Sequence, residues 1–146
     1  MKILVYGAGV IGGYLAHMLC AAGQDVTLLA RGAWKETLTQ NGLVIRHRLQ
    51  RKTTVDHPRI LETVPPGARY DTAFAVMQHQ QMAGILDALA AIDAPLVVLV
   101  GNNTSAPACE ARILSETKTS KTVLFGFQGT AGRRALSTVC ASAAAP

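Results

Sequence analysis

Three glycines near the start of the chain, Gly7, Gly9 and Gly12, are spaced as a loop that can cradle a pyrophosphate. They follow the apolar run Ile3-Leu4-Val5-Tyr6 and lead into apolar residues at helical spacing. The three serve different purposes. Gly7 permits a tight turn, Gly9 lets the backbone approach a phosphate, and Gly12 lets helix and strand pack closely. The loop from Gly7 through Ala8, Gly9, Val10 and Ile11 to Gly12 is therefore the expected cofactor-binding segment. The helix that opens there adds unpaired N–H groups and a partial positive charge. A second apolar run, Val26 to Ala30, ends on Arg31. A carboxylate at that position would accept the ribose hydroxyls of NAD and repel an added phosphate. Here the only nearby acid is Asp25, at the start of the run, whereas a guanidinium can hold a 2′-phosphate through charge-assisted hydrogen bonds. The expected cofactor is NADP.

These residues need strands and helices in strict alternation to place them. Gly12 to Ala22 carries Leu15, Met18, Leu19 and Ala22 on one helical face, and Gly23 closes it. Val26 to Ala30 reads as a buried strand and Ala33 to Gln40 as a short helix, stopped by Asn41-Gly42. Strands at Leu43 to Arg48 and Thr53 to Val55 flank a basic cluster. After the loop Pro65-Pro66-Gly67 come a strand from Thr72 to Met77 and a helix from Met82 to Ile92. A strand from Leu96 to Val100, a helix from Ala106 to Leu114 and a strand from Thr122 to Phe127 follow. The order predicts an α/β fold with a doubly wound, Rossmann-type parallel sheet.

The bulk properties narrow the function classes. With 146 residues, 49% hydrophobic and 16% charged, the chain suits one domain with a real core. No apolar run approaches the roughly 18 to 20 residues that span a bilayer, so no membrane partner is expected. The first apolar run is too short for a secretory signal, which places the protein in the cytoplasm. Cys20, Cys109 and Cys140 lack ligand spacing, and no metal site is expected. The net charge is +5, but the cluster Arg46-His47-Arg48-Leu49-Gln50-Arg51-Lys52 has no interleaved aromatics. It reads as a solvated strand face or hairpin rather than a nucleic-acid patch. Residues 1–134 form the expected NADP-binding domain, and the small-residue stretch 135–146 a loosely ordered tail.

The segment MKILVYGAGVIGGYLAHMLCAAGQDVTLLARG, with the Asn41-Gly42-Leu43 that follows, resembles the N-terminal domain of ketopantoate reductases. The likeness extends over roughly residues 1 to 134 and is strongest at its start. It implies NADPH-dependent reduction of 2-dehydropantoate or another small 2-keto acid, on the route to pantothenate. By that resemblance Asn102 contacts cofactor and substrate, and Gly132 lies near the cofactor on the nicotinamide side. Gln80 matches a glutamine of the family, but Met77 stands where the family has a lysine, and a thioether cannot donate a hydrogen bond. The family's proton-donating lysine and its keto-acid-binding serine and glutamate belong to a helical second domain absent from these 146 residues. No catalytic residue is therefore expected here, and the chain reads as an N-terminal half, inactive by itself. The alternative is a non-catalytic NADP-binding or sensing module. An uncovered cleft side would expose apolar surface, with a homodimer as one outcome.

Overall fold

A strand that is apolar on both faces has to be covered on both sides. The first strand, β1 (Lys2–Tyr6), meets that need by sending Ile3 and Val5 into one core cluster and Leu4 and Tyr6 into another. The computed structural model describes residues 1–102, 105–127, 129–135 and 138–143. β1 leads through α1 (Val10–Ala21) to β2 (Asp25–Leu29), and then through α2 (Gly32–Asn41) to the hairpin of β3 (Leu43–His47) and β4 (Lys52–Asp56). The short β5 (Arg59–Leu61) precedes β6 (Thr72–Val76), α3 (His79–Met82), α4 (Leu86–Ala91) and β7 (Leu96–Val100). α5 (Ala106–Glu116), β8 (Thr122–Gly126), β9 (Thr130–Ala135) and β10 (Thr138–Ala143) complete the described chain.

Six strands form a parallel sheet in the order β5-β2-β1-β6-β7-β8. α4 and α5 cover one face, with Leu86, Leu89, Cys109 and Ile113 packed against Leu4, Ala73 and Leu99. α1 and α2 lie on the other, where Ala16 and Leu38 join Val5, Leu28, Leu43 and Ile45. This is the doubly wound, Rossmann-type arrangement read from the alternation of elements. The basic cluster caps the β3–β4 hairpin, which pairs Leu43 with Asp56 at one end and His47 with Lys52 at the other. Against α1 the hairpin sets a polar group: the His17 Nδ1 donates to the Asp56 carboxylate at 2.6 Å. The His17 and His47 rings lie 5.0 Å apart.

Four features depart from the sequence reading. The expected helix from Met82 to Ile92 is broken by a 3-10 turn at Ala83–Ile85, where Gly84 weakens helical propensity. β5 is too short to show a pattern, yet it pairs with β2. A second, four-stranded sheet, β4-β3-β10-β9, lies beside the first. The tail is the fourth. Thr138–Ala143, half of the stretch 135–146, is a strand that pairs antiparallel with β9 and parallel with β3. Its small side chains give little apolar pattern, but backbone N–H and C=O groups pair whatever the side chain. Residues 136, 137 and 144–146 of that stretch lie outside the described residues.

Candidate functional site

The loops leaving the C-terminal ends of β1, β2, β6 and β7 enclose an open cleft of ≈ 1310 Å³. From β1 the sheet grows one way through β2 and β5, and the other way through β6, β7 and β8. The cleft lies where that order reverses, the usual ligand position in open α/β sheets.

The glycines of the first loop are fixed by different constraints. Gly7 has a φ of 122°, and a Cβ on it would stand 2.3 Å from the Val76 carbonyl oxygen. A Cβ on Gly12 would stand 1.8 Å from the carbonyl oxygen of Gly7, so helix and loop touch there with no room to spare. Gly9 differs. Its φ of −73° and ψ of −172° suit any residue, and a Cβ would meet nothing within 4 Å. The chain itself does not require glycine at position 9; the space kept open belongs to the cleft, which Gly9 lines. α1 begins immediately after it with no side-chain cap and no acidic residue in its first turn. Its first N–H groups, which have no intrahelical acceptor, remain for an anion from outside.

Every residue expected from the sequence to hold the cofactor borders this one cleft: Gly7 to Gly12, Arg31, Asn102 and Gly132. Arg31 sits at the N-cap of α2, and its Nη2 donates to the Tyr6 hydroxyl at 3.4 Å. Asp25 pairs with Lys2 at the opposite end of β2, and no Asp or Glu among the described residues lines the cleft. Asn102 follows Gly101, whose φ is 147° and whose missing side chain lets the Met77 carbonyl oxygen come within 2.8 Å of the Cβ position. Met77 and Gln80 border the cleft as well. Asn103 and Thr104 lie outside the described residues.

Among the lining residues that sequence reasoning did not assign to the site are Trp34 and Arg134. The Trp34 Nε1 donates to the Ala8 carbonyl oxygen at 2.8 Å, which fastens the indole to the glycine loop. The Arg134 guanidinium carbon lies 5.1 Å from the centre of that ring. Gly132 and Arg134 are two apart on β9, so strand alternation gives them one face and Arg133 the other. That signal was legible only to a reader who already knew that 130–135 is a strand.

The profile of the ketopantoate reductase PanE/ApbA family matches residues 3–131. The chain belongs to that family. Within it, 44 residues are 54% identical to the 2-dehydropantoate 2-reductase of Mesorhizobium japonicum, 30% of this chain and 14% of that protein. The oxidoreductase YkpB of Bacillus subtilis is 51% identical over 45 residues, 31% of this chain and 15% of its own. Among solved structures, 2-dehydropantoate 2-reductase from Methylococcus capsulatus superposes with a TM-score of 0.75 at 20% identity. The match covers 96% of this chain and 45% of that one. D-mandelate dehydrogenase, solved with NADH and anilino(oxo)acetate, gives the same score, identity and shares. At such identities the superpositions speak for the fold. The chain spans a little under half the length of these two solved structures.

Proposed function

We propose that this chain is the NADP(H)-binding domain of a ketopantoate reductase-type oxidoreductase acting on 2-dehydropantoate or another 2-keto acid. The observation that carries the reading is the open space over Gly9, next to an uncapped helix N-terminus, in a cleft that Arg31 also borders and that no carboxylate lines among the described residues. The backbone N–H groups of Val10 and Ile11 would take the pyrophosphate, and Arg31 the 2′-phosphate. The Asn102 carboxamide, which can both donate and accept, would serve the cofactor and the keto acid at the exits of β6 and β7. When bound, the nicotinamide supplies the hydride for the ketone. Related folds solved with NADH leave the choice of dinucleotide to local residues, and here the acid that would favour NAD is missing at the end of β2.

Titration calorimetry tests the assignment. NADPH should bind more tightly than NADH, and Arg31→Asp should abolish or reverse the preference. Equal affinity of the unaltered chain for both would overturn the role given to Arg31. With ketopantoate and a panel of 2-keto acids, the chain alone should show no useful NADPH oxidation, because Met77 cannot replace the family's lysine as a donor. General acid catalysis contributes about 10²–10⁴-fold and orientation of the reactants more. A rate near the common enzyme value of about 10 s⁻¹ would refute this.

A further inference from the structure

We propose that Arg134, held over Trp34, is a second residue selecting the cofactor's 2′-phosphate, so that this group is read by two guanidinium groups from separate elements. The inference rests on the dinucleotide reading of the cleft and goes beyond the role given there to Arg31. Arg31 enters from the junction of β2 and α2, and Arg134 from β9, and both border the same cleft. Among the described residues neither forms an ion pair with a carboxylate, nor does any carboxylate line the space they share. Two unneutralised cations in one cleft favour a group carrying more than one negative charge.

Trp34 gives Arg134 a defined position. The indole is tied by its own N–H to the loop carbonyl of Ala8, so it cannot turn away without losing that bond. A guanidinium lying 5.1 Å from the ring centre is attracted to the indole π system. A lysine would keep the charge but lose the flat fork. The side chain is thereby partly ordered before any ligand arrives, which lowers the cost of using it.

Trp34 is the one tryptophan in the sequence, so intrinsic emission reports on this contact directly. Adenosine 2′,5′-bisphosphate should change that emission, and 5′-AMP should do so much less. In calorimetry, Arg134→Met should weaken NADPH binding about tenfold, as expected for a lost charge-assisted bond, and leave NADH within about twofold. Arg134→Lys should recover part of the loss. If the unaltered chain does not bind NADPH at all, the dinucleotide reading itself fails. If it binds NADPH and Arg134→Met keeps the same NADPH-to-NADH ratio, Arg134 has no selective role and the reading of Arg31 survives. Should Arg134→Met fail to fold by circular dichroism, identical emission changes with the bisphosphate and 5′-AMP in the unaltered chain would overturn the inference.

Discussion

Gly9 and Gly12 belong to one motif but answer to different parts of the molecule. Gly12 is required by the chain, because any Cβ would lie 1.8 Å from the Gly7 carbonyl oxygen. Gly12→Ala should therefore destabilise the fold by several kcal/mol, roughly 3 or more, as overpacking against backbone does. Gly9 has no such neighbour, so Gly9→Val should leave the circular dichroism spectrum unchanged and remove dinucleotide binding. A valine variant that still bound NADPH with native affinity would show that the phosphates lie elsewhere. The motif was legible from glycine spacing, whereas the distinction between the two glycines was not. It depends on how close Val76 and the loop come in space, which spacing along the chain does not encode.

At the scale of elements, the packing of the β3–β4 hairpin on α1 makes stability depend on pH. Burial pushes the His47 imidazole below its ordinary pKa, and the charges of His17 and Lys52 push the same way, against Asp56. Tyr14 on α1 also faces the ring, at 6.3 Å between centroids. The folded state thus prefers neutral His47, and the unfolded chain takes up the proton first as pH falls. The contribution is present above the unfolded value of about 6.5 and is lost as pH drops through the lower folded one. His47→Asn should melt closer to the unaltered chain at about pH 5.5 than at about pH 7.5, as followed by thermal denaturation; a gap that does not change with pH would refute it. In β2, Thr27 is fully buried and its hydroxyl has no partner among the described residues. Thr27→Val keeps the shape and removes the unpaired oxygen, so it should stabilise by about 1 kcal/mol and raise the melting temperature by roughly 3 °C. A lower melting point would mean that the hydroxyl has a bonded partner.

For the whole molecule, the uneven cover of the main sheet matters most. On the α1 side, Phe74, Val98 and Leu124 are in register across β6, β7 and β8, and cover diminishes along the row. Phe74 and Val98 are half-buried, while Leu124 is 49% exposed. Phe127, just after β8, is 81% exposed. Apolar residues left uncovered in this way attract other apolar surfaces. The chain should bind a hydrophobic dye at neutral pH and gain apparent mass with concentration in sedimentation. Leu124→Lys should reduce both. A strictly monomeric profile with no dye signal would contradict this.

The sequence by itself determined the alternating order of strands and helices, the glycine loop at the first turn and the arginine that follows the second strand. Each of these rests on residues within one or two turns of each other, where spacing maps directly onto a face or a loop. Tertiary structure alone decided what depends on partners distant in the chain. Pairing of β10 with β3 and β9 turned a low-pattern tail into part of a second sheet. That sheet brings Arg134 over Trp34, residues a hundred positions apart. Period-2 alternation fixes which side chains share a face only after the strand and its neighbours are known, and here backbone ladders rather than side-chain pattern supply that knowledge.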